Sequence, residues 1–186
     1  MTSAPSLLVR DATEIDLAAI EAIYRPYVLT NLATFEEIPP SIDELSRRLA
    51  TVRALGLPYL VAERDGQVVG YCYANTYRAR PAYRNTIEDS VYLADGMGGQ
   101  GIGRALLSTL IERCAQGGWR QMVAVIGDSA NTASVGLHRS LGFEMIGTMP
   151  AVGFKLGRWV DTVIMQRSLG PGGDTPPEPL KNQQQS

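Results

Sequence analysis

The sequence has little histidine, little cysteine and no long apolar run. A single histidine, His138, stands in 186 residues, so a multi-histidine metal site and any scheme that needs two imidazoles are excluded. The two cysteines, Cys72 and Cys114, lack the close spacing of a zinc or CxxC redox motif and read as small buried hydrophobes. No apolar stretch approaches the roughly 20 residues that cross a bilayer. Met1-Thr2-Ser3-Ala4-Pro5 has neither the basic region nor the apolar stretch of a signal peptide. The expected location is the cytoplasm, with no membrane partner. Charge of one sign is also scarce: the formal net charge is -2, without the basic excess that attracts nucleic acid, so no DNA or RNA partner is expected.

What is there, 45% hydrophobic and 19% charged residues, suits one well-buried globular domain. After a short first strand, Thr13 is an N-cap candidate for a helix with apolar residues at Leu17, Ile20, Ile23, Tyr24 and Tyr27. Ser41 and Glu44 have capping-box spacing and open a second helix running to about Ala54. Tyr59 to Glu63 and Gln67 to Tyr73 are strand-like and meet at Asp65-Gly66, a pair suited to a tight hairpin turn. A third strand is expected from Thr86 to about Leu93. A glycine-rich loop then leads into a helix with apolar positions at Leu106, Leu107, Leu110, Ile111 and Cys114. Met122 to Ile126 reads as a buried strand, Thr132 to Leu141 as a helix, and Phe143 to Phe154 and Trp159 to Arg167 as closing strands. This order predicts an α+β fold, a mixed and mostly antiparallel sheet flanked by helices. Residues 1–169 form the expected single domain. From Gly170 the chain offers almost nothing apolar, and 170–186 is expected to be a disordered tail.

Gly98, Gly99, Gly101 and Gly103 lie where a strand hands over to a helix, so bare amides and the positive helix end can meet phosphate oxygens. Alone this signal is weak, because turn glycines often serve only the turn, and the spacing is neither a Rossmann fingerprint nor a Walker loop. A second pattern follows at Asn131, Ser134, His138, Gly142 and Phe143. Together the two resemble the GNAT acetyltransferases. The glycine loop resembles their acetyl-CoA pyrophosphate motif Q/R-x-x-G-x-G/A, and the second run has the spacing at which they carry Asn, a small residue, Tyr, Gly and Phe. The order of elements is similar to the GNAT fold over nearly all of residues 7–168. Residues 33–37 and 77–93, AVIGDSANTASVGLHRSLGF and GFKLGRWVDTVIMQ are similar to the phosphinothricin and methionine sulfone N-acetyltransferase branch. Gly98 departs from the motif, standing where Arg or Gln is common. The cradle works mainly through backbone amides, and Arg104 offers charge nearby.

The resemblance implies acetyl transfer from acetyl-CoA to the amino group of a small amino acid, by direct attack in a ternary complex and without a metal. Implied cofactor contacts are Val91, Tyr92, Leu93, Gly99, Gln100, Gly101, Ile102, Gly103, Arg104, Asn131 and Ser134. The chemistry needs a base for the ammonium, a donor for the thioester oxygen and a proton for the departing thiolate. The family's general base falls on Glu88; an isolated strand-end Glu would usually face solvent. His138 stands where many members carry the Tyr that protonates the CoA sulfur, and it is read as acid, base or orienting group. A lone helix histidine is more often simply packed and hydrogen-bonded. Glu88 and His138 are thus the expected proton-handling pair. Backbone amides of Val91 to Leu93 are the implied oxyanion donors, with Tyr92 either a side-chain neighbour or a core aromatic. Arg78, Arg80 and Tyr83 are implied substrate contacts, since guanidinium binds carboxylate, phosphinate or sulfone oxygens in pairs; the alternative is a solvated basic loop. Phe35 and Tyr92 complete the implied substrate set. A homodimer is implied by the family alone. Two other readings stay open: an N-acetyltransferase for protein N-termini or other small amines, and a non-catalytic acyl-CoA-binding module.

Overall fold

The computed structural model describes residues 7–178. β1 (Leu7–Asp11), β2 (Tyr59–Arg64), β3 (Gln67–Thr76) and β4 (Thr86–Leu93) form an antiparallel run. β4 then pairs in parallel with β5 (Gln121–Gly127), and antiparallel pairing resumes through β7 (Arg158–Ser168) to the edge strand β6 (Glu144–Lys155). The result is one seven-stranded sheet in the order β1-β2-β3-β4-β5-β7-β6. α1 (Leu17–Thr30) and α2 (Ile42–Ala54) cover one face, α3 (Ile102–Gln116) covers the other, and α4 (Thr132–Ser140) packs on β5. This is the mixed α+β architecture that the order of periodic segments predicts. No helix among the described residues is long and apolar enough to cross a membrane.

Local chemistry explains the boundaries. Asp65 at φ 51° and Gly66 at φ 79° turn the β2–β3 hairpin, the two positive values that a tight turn requires. The Ser41 hydroxyl accepts from the Glu44 N–H at 3.2 Å and caps α2. The first helix is entered through a 3₁₀ turn at Glu14–Asp16, because Asp16 accepts from the Thr13 N–H at 2.7 Å and is held by Arg10 through two bonds of 2.8 Å.

Alternation along the strands decides what each helix meets. Gly70 and Cys72 turn toward α3, where Cys72 Sγ lies 3.5 Å from the Leu106 carbonyl and a Cβ on Gly70 would lie 3.2 Å from the Leu106 side chain. Tyr71 turns the other way and stacks on Tyr92 at 5.2 Å; Tyr24 and Tyr27 of α1 meet the same ring edge-on at 4.8 and 5.1 Å. With Tyr59 and Tyr73 added, six of the eight tyrosines form one layer between the sheet and α1.

Residues 170–178 of the expected tail lie within the described part of the chain, and Arg120 reaches them. Arg120, 8% exposed, donates from Nε to the Gly172 carbonyl at 2.8 Å and from Nη2 to the Thr175 carbonyl at 2.7 Å. A buried guanidinium needs acceptors, and main-chain carbonyls of the segment supply them without any apolar burial for composition to reveal. The remainder of the expected tail, 179–186, lies outside the described residues.

Candidate active site

β4 and β5 pair only from Thr86↔Gln121 to Asp89↔Ala124, although β4 continues to Leu93 and β5 to Gly127. Beyond Asp89 the strands part, and a cavity of about 710 Å³ fills the fork, walled by β4, β5, the glycine loop and α4. The Ala94 N–H donates to the Val69 carbonyl of β3 at 2.9 Å. That bond fixes the alternation: residues 88, 90 and 92 turn their backbone groups to β3, and 89, 91 and 93 turn theirs to the fork. At Leu93 both groups are engaged by Tyr27, whose hydroxyl donates to the carbonyl at 3.0 Å and accepts from the N–H at 3.4 Å. Val91 is left with backbone groups facing the cavity and no strand to pair with. The Tyr92 amide, expected among the oxyanion donors, is turned to β3 and away from the fork; Tyr92 lines the cavity, and its ring belongs to the tyrosine layer.

The glycine loop forms the mouth. Gly99 at φ 74° and Gly101 at φ 79° occupy the left-handed region, and a Cβ on either would meet nothing within 4 Å, so open space lies before them. Behind Gly101 the first-turn N–H groups of α3 lack intrahelical acceptors and carry the positive end of its dipole. This donor set fits a phosphate-bearing cofactor. Arg104 lines the cavity and donates to Ser140 Oγ at 2.9 Å, which ties α3 to α4 and holds a cation at the rim. Asn131 and Ser134 also line it, and Asn131 caps α4 by accepting from the Ser134 N–H at 3.2 Å. Gln100 and Ile102, two expected contacts, do not line the cavity. The Gln100 amide donates to the Gly96 carbonyl at 2.9 Å and accepts from Arg64, bracing the loop from behind, and Ile102 is wholly buried in the core.

Glu88 and His138 do not meet. Glu88 shares the face of Ser90 and Tyr92 by strand alternation. Burial pushes its carboxyl up to about 7, the adjacent Asp89 charge adds to the rise and Arg78 pulls against it. His138 lies on the opposite face, 2% exposed and lining the cavity. Its Nδ1 is 2.7 Å from the Ser134 carbonyl and its Nε2 is 3.0 Å from Asp89 Oδ2. A carbonyl only accepts, so Nδ1 carries a proton; Nε2 and Oδ2 then share one more. Burial alone would lower the imidazole pKa, but the charge and hydrogen bond of Asp89, with the Ser134 carbonyl, outweigh it and the value is raised.

Asp89 is the site residue that the sequence reading missed. Its signal was present: on a strand, residue 89 must face away from residue 88, toward the helix that carries the one histidine. Of the substrate candidates only Tyr92 lines the cavity. Arg78, Arg80 and Tyr83 lie exposed on the segment between β3 and β4, where Arg78 sits over the Tyr77 ring at 5.1 Å. The Phe35 ring rests against Gly153 of β6, where an added Cβ would come within 2.1 Å of it.

Comparison with known proteins gives this geometry a context. The family described as acetyltransferase (GNAT) domain matches residues 9–164. The phosphinothricin N-acetyltransferase of Alcaligenes faecalis is 57% identical over 170 residues, 91% of this chain and 86% of that protein. The L-methionine sulfoximine/L-methionine sulfone acetyltransferase of Pseudomonas aeruginosa is 42% identical over 172 residues, 92% of this chain and 99% of that protein. The crystal structure of a GNAT superfamily phosphinothricin acetyltransferase from Sinorhizobium meliloti in complex with AcCoA superposes with a TM-score of 0.89 at 51% identity, covering 92% of this chain and 93% of that one.

Proposed function

The chain belongs to the GNAT acetyltransferase family, and from that premise we propose that it acetylates the amino group of a small amino-acid-like acceptor of the phosphinothricin, methionine sulfone or methionine sulfoximine class. The observation that carries the reading is the fork between β4 and β5, whose cavity is lined by the glycine cradle and by Ser90 and Tyr92, the residues of β4 that share a face with Glu88, although Glu88 itself does not line it. Acetyl-CoA, when bound, supplies the activated acetyl thioester. Gly99, Gly101, Gly103 and the α3 N-terminus hold its phosphates through backbone N–H groups, with Arg104 at the rim and Asn131 and Ser134 along the arm. The Val91 N–H is the donor aimed at developing oxygen charge. Glu88, with its carboxyl near 7, takes the ammonium proton, directly or through water. His138, held by Asp89, keeps a proton on the cavity wall. Arg80, with Arg78 and Tyr83 beside it, anchors the acceptor's anionic or oxygen-rich head.

The enzyme is proposed to act in the cytoplasm as a homodimer. Ile146, Met149, Val152, Phe154 and Trp159 of β6 and β7 are 59%, 46%, 48%, 57% and 67% exposed, a concentration of large apolar side chains on an edge hairpin that suits a second copy. Thiol release from acetyl-CoA with phosphinothricin, methionine sulfone, methionine sulfoximine, the common amino acids and an N-terminal peptide tests the acceptor class. The free amino-acid analogues are expected to give the highest kcat/KM. A peptide that outperforms them all would contradict this acceptor class, and thiol release with none of them would leave a binding module.

A further inference from the structure

Lysine is rare in this chain: Lys155 and Lys181 stand among seventeen basic residues, the rest arginine. Lys155, the last residue of β6, is 2% exposed. Its ammonium donates to three main-chain carbonyls, those of Thr34 and Asn31 at 2.7 Å and of Tyr27 at 3.1 Å. Tyr27 and Asn31 belong to the last turn and the C-cap of α1, where carbonyls lack helical partners and the dipole is negative. Three carbonyls converging on one point suit a compact ammonium with three donors; the planar fork of an arginine does not match them. Burial lowers the lysine pKa, with the charges of Glu37 and Glu36 opposing.

What the ammonium fixes is residues 31–36, which join the two sides of the fork. Ala33 lines the cavity. The Leu32 carbonyl lies so close to Gly127 at the tip of β5 that an added Cβ there would be 2.3 Å away. The Thr34 hydroxyl is 2.8 Å from that of Tyr24, which also donates to Glu36 at 3.1 Å and packs edge-on against Tyr92. Phe35 rests on Gly153, two residues before Lys155. The segment therefore closes the fork where the cavity meets the tyrosine layer, the side toward which Glu88 points.

We propose that Lys155 is a positioning residue for the acceptor: its ammonium pins residues 31–36 to β6 and so sets the wall against which the amino acid is held, without touching cofactor or reacting atoms. The inference rests on the acetyltransferase reading above. Lys155→Met keeps the length of the side chain and removes its donors, and Lys155→Gln keeps two donors on a shorter arm. In both, kcat/KM for phosphinothricin and for methionine sulfone is expected to fall by about one to two orders of magnitude, the scale of a ~1 Å misplacement, with the acceptor KM raised. The KM for acetyl-CoA stays at the parent value, and amides of residues 31–36 exchange with deuterium faster while those of β3 and β4 do not. A folded variant with the parent's acceptor KM, or a loss of kcat with both KM values unchanged, would overturn the proposal; where Lys155→Met fails to fold, Lys155→Gln decides. Should the parent acetylate neither acceptor, the acetyltransferase reading fails by itself. Unaltered exchange over 31–36 would then still overturn the pin.

Discussion

Glu88 and Asp89 are consecutive carboxylates on one strand, and they meet opposite surroundings. Glu88 faces the tyrosine layer without a cationic hydrogen-bond partner among the described residues, and burial pushes it up to about 7. Asp89 faces α3 and α4, 6% exposed and 3.0 Å from His138 Nε2. Cys72 of β3 and Cys114 of α3 feel its charge, which adds to the rise that burial gives both thiols. The same functional group is a carboxyl raised toward neutrality by burial on one side of the sheet and half of a buried pair on the other. The period of two along a strand separates those roles more cleanly than any distance in sequence. It also means that any proton Glu88 or His138 handles is handled on its own side of β4.

The comparison is broken most severely at Glu88. Glu88→Gln keeps the shape and removes the proposed base, so kcat is expected to fall by roughly two to four orders of magnitude, with acceptor KM changed far less in steady-state assays. The same variant should melt at a higher temperature than the parent at pH 8. A carboxyl raised from 4.5 to about 7 opposes folding progressively across that interval and fully above it. Lower melting would mean that Glu88 makes a stabilising contact instead.

Across the strand the expected effect is on stability. His138→Ala leaves Asp89 buried without a counter-ion, which costs about 3–5 kcal/mol in urea unfolding. Asp89→Asn sharpens the contrast, because an amide can still hydrogen-bond Nε2 while the charge is gone. With one histidine in the chain, a single imidazole proton resonance reports the outcome, and its pKa should drop relative to the parent. A raised imidazole pKa gives stability that is complete below the unfolded value of about 6.5 and lost as pH rises through the folded one. Asp89→Asn should remove that dependence.

Smaller effects are expected at the mouth and on the loop. Gly101→Val forces a β-branched residue to φ 79°, a strain of about 1–2 kcal/mol, and should raise the KM for acetyl-CoA while sparing the acceptor. Arg80→Ala lies on an exposed segment and should leave stability within about 0.5 kcal/mol. Its acceptor KM should rise first, and an unchanged KM would remove Arg80 as an anchor.

Most of the fold was legible because its signals are local. Asp65-Gly66, Ser41 with Glu44, and the apolar spacing of α3 each name their own structure. The glycine loop was legible as a pattern, although sequence could not tell Gly101, which faces open space, from Gln100, which braces the loop from behind. Features that depend on distant partners were not legible. Arg120 meets Thr175, Lys155 meets Thr34, and Tyr27 meets Leu93 across 55, 121 and 66 positions of chain. Asp89 lay between these cases: its face followed from alternation, but its partner required knowing that α4 returns beside the fork.

The central claim is that the raised carboxyl of Glu88, on the side of β4 away from His138, is the base for the acceptor amine. Its most direct test is the pH dependence of kcat/KM for the best acceptor, measured from about pH 6 to about pH 9, a span that covers the unperturbed His value, in the parent and in Glu88→Gln. The parent should lose activity below pH about 7 as Glu88 takes up a proton, and the variant should be slow throughout and lack that limb. A Glu88→Gln enzyme that kept the parent's rate and its acid limb across the range would contradict the account.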